Sequence, residues 1–225
     1  MQKAIFIPGL GENAKAYAHQ IKNLADCIEP TVFDYDAFET TEDMTQALLD
    51  QITEPCTLIG HSMGGFLAQK CAARAGEKIQ NLILINTWAA PSQDFIKQNK
   101  MASAAMDAMG LETLFNHQIP LFFFDPKSAL VKDTIEALLE KPPEVYKRLI
   151  NALSTGEDLT AILPKISAKT LVIHGRQDVL FSLDQHEQIK NLIPQAQLTI
   201  IEESGHHCPT EQPQAVTALI RLALT

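Results

Sequence analysis

The segment Gly60-His61-Ser62-Met63-Gly64-Gly65 sets a serine between two glycine positions. It follows the apolar run Thr57-Leu58-Ile59 and precedes Phe66-Leu67-Ala68-Gln69-Lys70, which reads as a helix. A serine in such a strand–turn–helix junction sits in a tight, strained turn and projects its Oγ above a sheet edge. Side chains at positions 60 and 64 would collide there. The helix start also aims backbone N–H groups at any negative charge that develops beside the serine. A serine hydroxyl is a weak nucleophile, however. It needs an adjacent base, and the base needs an acceptor that fixes its tautomer. Asp178, in His174-Gly175-Arg176-Gln177-Asp178, and His206, in Gly205-His206-His207, supply those residue types further along the chain. The chemistry of this set is acyl transfer through Ser62.

The other candidates are weaker. Asp184 and Glu202 are alternative acids, and His207 is an alternative base. His61 is expected to point away from the Oγ cleft and to pack, while His19, His117 and His186 read as surface or helix residues. Cys208 with His206 and His207 offers local donors but no carboxylate and no second cluster, so no zinc site is expected.

These residues need a scaffold that brings them together. Short apolar runs alternate with helical patterns, the signature of βα units in a parallel sheet. The expected strands are Ala4–Ile7, Thr31–Tyr35, Thr57–Gly60, Leu82–Ile85, Thr170–Ile173 and Leu198–Ile201. Helices are expected over Ala14–Cys27, Glu42–Ile52, Met63–Ala75, Leu183–Asn191 and Glu211–Leu224. The fold class is therefore α/β, an open parallel sheet of about six strands with helices on both faces. Ser62, Asp178 and His206 then all fall beyond C-terminal strand ends, where such sheets bind ligands. Between about Ala89 and Lys165 the alternation stops and the pattern is helical only, with Val145, Leu149 and Leu153 at i, i+4 and i+8 and a second face of Ile135, Leu138 and Leu139. Residues 1–88 and 166–225 thus read as the core, and 89–165 as a helical insertion over the strand ends.

Composition narrows the partners. The 225 residues suit one sizeable domain, and 46% hydrophobic residues can fill its core. A formal net charge of −9 argues against nucleic acid or anionic membrane as a partner. No Lys or Arg occurs between Lys22 and Lys70, which reads as a solvated acidic face. The four cysteines are scattered without a CxxC pair, so no disulfide framework is expected. The first apolar run stops at Pro8-Gly9, too short for a signal or membrane segment, and a cytoplasmic protein is expected.

The elbow at Gly60–Gly65, the acid loop His174–Asp178, the Gly205-His206 turn and the first turn Pro8-Gly9-Leu10-Gly11 together resemble the α/β-hydrolase superfamily. The resemblance runs from first strand to last helix and is nearest the esterase, lactonase and C–C hydrolase branch with a helical cap. The chain order Ser62, Asp178, His206 is that family's order. By position it implies that the backbone N–H groups of Leu10 and Met63 form the oxyanion hole. Pro8 stands where the family usually has His. The family's first two strands have no counterpart, which would leave Thr31–Tyr35 as an exposed edge that the acidic stretch protects. The resemblance implies a serine hydrolase that needs no cofactor or metal and acts on small-molecule esters with short to medium apolar acyl groups. A lactonase or C–C hydrolase, a perhydrolase or haloperoxidase, and a ligand receptor on the same fold stay open, the first because Asn86-Thr87-Trp88 resembles the enol-lactone hydrolase pattern.

Overall fold

A computed structural model describes all residues, 1–225. Its centre is a six-stranded, wholly parallel sheet in the order β2-β1-β3-β4-β5-β6. The strands are β1 (Gln2–Ile7), β2 (Ile28–Val32), β3 (Cys56–His61), β4 (Ile79–Ile85), β5 (Lys169–Gly175) and β6 (Gln197–Ile201). Side chains alternate across the sheet, and both faces are apolar. Ala4, Phe6, Ile59, Ile83 and Ile173 enter the core shared with α1 (Ala18–Asn23) and α10 (Pro213–Ala223). Ile5, Ile7, Leu58, Leu84 and Val172 enter the core shared with α2 (Thr41–Gln51), α3 (Met63–Ala75) and α8 (Leu183–Leu192). Strands covered on both faces read as continuous apolar runs, which is why they are visible in the sequence.

The expected elements are present, with informative shifts. β2 begins three residues earlier than expected and contains Pro30, which pairs with Ala4. As an edge strand it is paired on one side only, so proline's missing N–H is tolerated. After Phe33, whose N–H donates to Phe6 O, the chain turns onto the site. The expected helix Ala14–Cys27 is a 3-10 turn, Ala14–Tyr17, followed by α1. The expected last helix, Glu211–Leu224, is α10 and starts two residues later at Pro213, since proline can start a helix but not continue one; a short α9 (Cys208–Glu211) precedes it.

The segment between β4 and β5 is helical, as expected: α4 (Gln93–Met109), α5 (Leu111–Gln118), a 3-10 turn at Ile119–Phe122, α6 (Ala129–Leu138) and α7 (Pro143–Leu153). It has a small core of its own, in which Met106, Leu114, Phe115, Ile135 and Tyr146 meet. α7 serves both cores. Leu149 and Leu153 face the sheet domain, whereas Tyr146 and Ile150 face the helical cluster. Lys141 Nζ is 2.7 Å from an Asp36 carboxylate oxygen, and Arg148 Nε donates to Asp36 O at 2.9 Å. These contacts fasten the segment to the loop after β2. No helix is long and apolar enough to cross a membrane.

The strand ends are in step: Ile7 pairs with Gly60, His61 with Ile85, and Gly175 with Ile201. Asn86, the first residue beyond β4, joins them. Its Oδ1 accepts from Gly175 N–H at 2.7 Å, and its Nδ2 donates to Gly205 O and His206 O at 2.9 and 2.8 Å. Asn86 is fully buried and has φ 43°, a left-handed conformation that asparagine adopts more readily than most residues. Removing its amide takes the partner from Gly175 N–H and Gly205 O, both buried, while His206 O keeps its contact with the His61 ring. Asn86→Ala should therefore lose about 2–4 kcal/mol of unfolding free energy in urea titrations. A loss below about 1 kcal/mol would show that the strand ends are held by other means.

Candidate active site

The serine turn is built from close backbone approaches. Ser62 has φ 52° and ψ −120°, a conformation that a side-chain-bearing residue rarely adopts. A Cβ on Gly60 would lie 2.5 Å from Gly64 O, and one on Gly64 would lie 1.9 Å from Ile7 O. The turn is pinned by Ser62 N–H donating to Ile85 O at 3.0 Å and by Thr87 Oγ1 donating to Ser62 O at 2.8 Å. Met63 opens α3 with its side chain in the main core. Leu10 N–H donates to no oxygen of the neighbouring turns, and Met63, as the first residue of α3, has no carbonyl within its own helix to bond. Leu10 is in the Gly9–Glu12 turn, which is closed by Glu12 N–H donating to Gly9 O.

Ser62, Leu10 and His206 line one cavity of about 70 Å³ with Gly9, Glu12, His61, His207, Ile119, Phe122 and Leu138. Ile119, Phe122 and Leu138 come from the helical segment, so its side chains form one wall. Asp178 lies behind His206, and its side chain is wholly buried. Asp178 Oδ2 accepts from His206 Nδ1–H at 2.9 Å, while Oδ1 accepts from Leu180 N–H at 2.8 Å and Phe181 N–H at 3.3 Å. Ser62 Oγ itself makes no hydrogen bond within the protein, and the His206 ring bonds only to Asp178. Burial alone would raise the Asp178 carboxyl. The charge and hydrogen bond of His206 and the Leu180 N–H outweigh it, and the carboxyl titrates below its ordinary value. Burial lowers His206, and the pull of Asp178 in the other direction does not overcome it.

The loop Ser204–Glu211, called the base loop after the role expected of His206, is attached to the helical segment. His206 N–H donates to Phe122 O at 2.7 Å, and the Glu211 carboxylate accepts from Phe124 N–H at 2.6 Å and Gly205 N–H at 2.7 Å. A Cβ on Gly205 would lie 2.4 Å from Phe122 O.

Of the residues weighed as acids, Asp178 alone bonds to His206. Glu202 pairs with Arg176, and Asp184 is an exposed residue in the first turn of α8. His207 faces Glu12 rather than an acid behind Ser62. One expectation for a histidine is narrowed and another needs correcting. His186 is a helix residue, in α8, and not a surface one. It is buried, its Nε2 accepts from Thr87 N–H at 3.1 Å, and burial pushes it down to about 4, so it stays neutral. His61 does not point away from the cleft but lines it, because Glu12 and the His206 carbonyl hold both of its ring nitrogens. The sequence assigns no role to Glu12 or Glu211, and gives Asn86 only a place in the Asn86-Thr87-Trp88 pattern. Glu12 and Asn86 each stand one position beyond a glycine or strand end, a signal too common to single out, and Glu211 carries no such local signal. Cys208 is a buried thiol raised by burial to about 12, and no group of three or more His, Cys, Asp or Glu residues could hold a metal ion.

Comparisons with known proteins agree with this architecture. The Alpha/beta hydrolase family model matches residues 4–219. "Putative carbamate hydrolase RutD" of Pseudomonas syringae pv. syringae (strain B728a) is 28% identical over 187 residues, 80% of this chain and 71% of that protein. Its namesake in Stutzerimonas stutzeri (strain A1501) is 29% identical over 157 residues, 67% of this chain and 59% of that protein. The chain thus spans 59% of the length of one of these relatives and 71% of the other. Among solved structures, a thermophilic esterase from Thermogutta terrifontis superposes with a TM-score of 0.87 at 25% identity, over 100% of this chain and 89% of that one. An enol-lactonase from Burkholderia xenovorans LB400 shares the fold, with a TM-score of 0.89 at 20% identity over 99% of this chain and 91% of that one. With a parallel sheet in this order, a serine at a left-handed turn before α3 and a family match over nearly its whole length, the chain belongs to the alpha/beta hydrolase family.

Proposed function

We propose that the protein is a serine hydrolase that cleaves esters of small apolar acyl groups through an acyl-enzyme on Ser62. The observation that carries this reading is one cavity shared by Ser62 and His206, with His206 Nδ1 bonded to the buried Asp178. Asp178 takes the Nδ1–H, so the neutral His206 ring keeps its lone pair on Nε2. When an ester enters, Ser62 Oγ attacks the carbonyl carbon and Nε2 takes the hydroxyl proton. The carbonyl oxygen gains negative charge and moves onto the free N–H groups of Leu10 and Met63. Each such donor is typically worth about 3–4 kcal/mol in the transition state. The C–O bond to the alcohol breaks, and the leaving oxygen receives the proton from His206. A water then enters, gives its proton to Nε2, attacks the acyl carbon and releases the acid, and the proton returns to Ser62.

Leu10, Ile119, Phe122 and Leu138 make the cavity wall apolar, and a volume of about 70 Å³ favours the short end of the acyl range. A small carbamate is the second reading. The same cavity size and the name of the RutD relatives favour it, and its carbonyl would be attacked in the same way.

Ser62→Ala should abolish labelling by a fluorophosphonate probe and lower ester turnover by at least about a thousandfold, with circular dichroism unchanged. Retained turnover would remove Ser62 as nucleophile. Because burial lowers His206, kcat/KM should rise with pH through a midpoint below about 6.5 and then level off, as the neutral base form is the active one. A midpoint above neutrality would mean that another group limits the reaction. In a series of p-nitrophenyl esters, kcat/KM should gain at most about 0.8 kcal/mol per methylene, peak among the shortest acyl chains and decline from hexanoate onwards. A series that climbs to dodecanoate would contradict the small apolar pocket, and a p-nitrophenyl carbamate that outpaces every ester would favour the second reading.

A further inference from the structure

The first loop, the serine turn and the base loop meet at one buried carboxylate. Glu12 Oε2 accepts from Gly9 N–H at 2.7 Å and lies 2.9 Å from His61 Nδ1, while Oε1 lies 3.1 Å from His207 Nδ1. The Glu12 and His61 side chains are 8% and 2% exposed. A Cβ on Gly9 would lie 2.8 Å from Glu12 Oε2 and 3.0 Å from His61 Nδ1, so the first loop is shaped around this pair. On the other side of the ring, His61 Nε2 is 2.8 Å from His206 O.

Both ring nitrogens of His61 therefore face oxygens that can only accept, one a carboxylate and one a peptide carbonyl. A neutral ring would set one nitrogen lone pair against an oxygen lone pair at hydrogen-bond distance. With a hydrogen on each nitrogen, His61 is an imidazolium and its counter-ion is Glu12. We propose that Glu12 and His61 are positioning residues: a buried carboxylate–imidazolium pair that holds the Leu10 amide, the Ser62 turn and the His206 backbone at fixed mutual distances, a role that rests on the reading of Ser62 as nucleophile. Neither residue touches the reacting atoms. Glu12 acts through Gly9 on the loop that carries the Leu10 N–H, and His61 acts through the peptide oxygen of His206. The pair carries little net charge, so it ties the loops together without strongly opposing the positive charge that His206 gains during turnover.

The titratable groups packed against the pair are His206 and His207 from the base loop, Tyr17 from the 3-10 turn before α1, and Tyr35 after β2. Asp178 lies beyond His206, and Lys141 Nζ donates to the Glu12 peptide oxygen at 2.9 Å. Burial opposes both charged forms. Their mutual attraction and hydrogen bond, with His207 adding to the pull on Glu12, keep Glu12 well below its ordinary value and His61 above its own.

The test is ¹⁵N NMR of the histidine rings in the wild-type enzyme at pH 8, with His61→Gln to assign the resonance. One ring, absent from His61→Gln, should show both nitrogens protonated, and Glu12→Gln should convert it to the neutral pattern. All seven histidines appearing neutral at pH 8 would overturn the proposal, and that measurement needs no variant to fold. In Glu12→Gln, which keeps the side chain's shape and an acceptor for Gly9, kcat for p-nitrophenyl acetate should fall about ten- to a hundredfold with KM changed less than about twofold. An unchanged kcat would also overturn it. The two levels of failure separate cleanly. A wild-type enzyme that fluorophosphonate does not acylate defeats the serine reading and the positioning role with it, whereas a neutral His61 in an enzyme that is acylated defeats only the pair.

Discussion

A serine held at φ 52° is out of its preferred conformation, and that strain, of order 1–3 kcal/mol, must be met by its surroundings. The means are visible around it. Gly60 and Gly64 allow backbone to approach backbone, Ile85 O takes the Ser62 N–H, Thr87 caps the Ser62 carbonyl, and α3 follows at once with an almost wholly buried first half. Each of these requires β1, β3 and β4 to end at matching heights. Strand register, the buried helix and the turn are therefore one requirement. A slip of one residue in β3 would move Ser62 off the sheet edge and turn its apolar neighbours to the wrong face.

Around that turn, polar residues do the work of aligning loops. Asn86 satisfies backbone groups from the β5 end and the base loop, Glu12 gathers the first loop and two histidines, and Glu211 binds the base loop to the helical segment. Buried polar groups are favourable only when every partner is present. This explains why so many of them are clustered here, and why the loops that carry Leu10, Ser62 and His206 keep definite positions although loops are usually the loosest part of a fold.

How much of this could be read from the sequence follows from the range of each interaction. Strands buried on both faces announce themselves as apolar runs, and the serine turn announces itself because its glycines are local necessities. Ser62, Asp178 and His206 could be named because each follows a recognisable strand. Edge strand β2 lies three residues before its expected span because Pro30 is permitted only by its one-sided pairing, which no local window reveals. The histidine partners of Glu12 are 49 and 195 residues away, and the partners of Asn86 are 89 to 120 residues away. Neither neighbourhood shows which distant groups these side chains hold. His186 reads as a surface or helix residue, and its burial is not legible, because its partner, the Thr87 N–H, comes from a different strand end.

The link from Phe122 and Phe124 to His206 and Gly205 bears on how such enzymes could be recombined. A helical segment that only roofed the cleft could be exchanged between relatives as a cassette, with junctions cut after β4 and before β5. Here the His206 N–H ends on a peptide oxygen of that segment, and one glutamate side chain is shared by both pieces. A chimera cut at those junctions would separate His206 from the backbone that seats it. The smallest transferable unit joins the helices to the stretch from Ser204 through Glu211, two pieces separated in the chain but continuous in space.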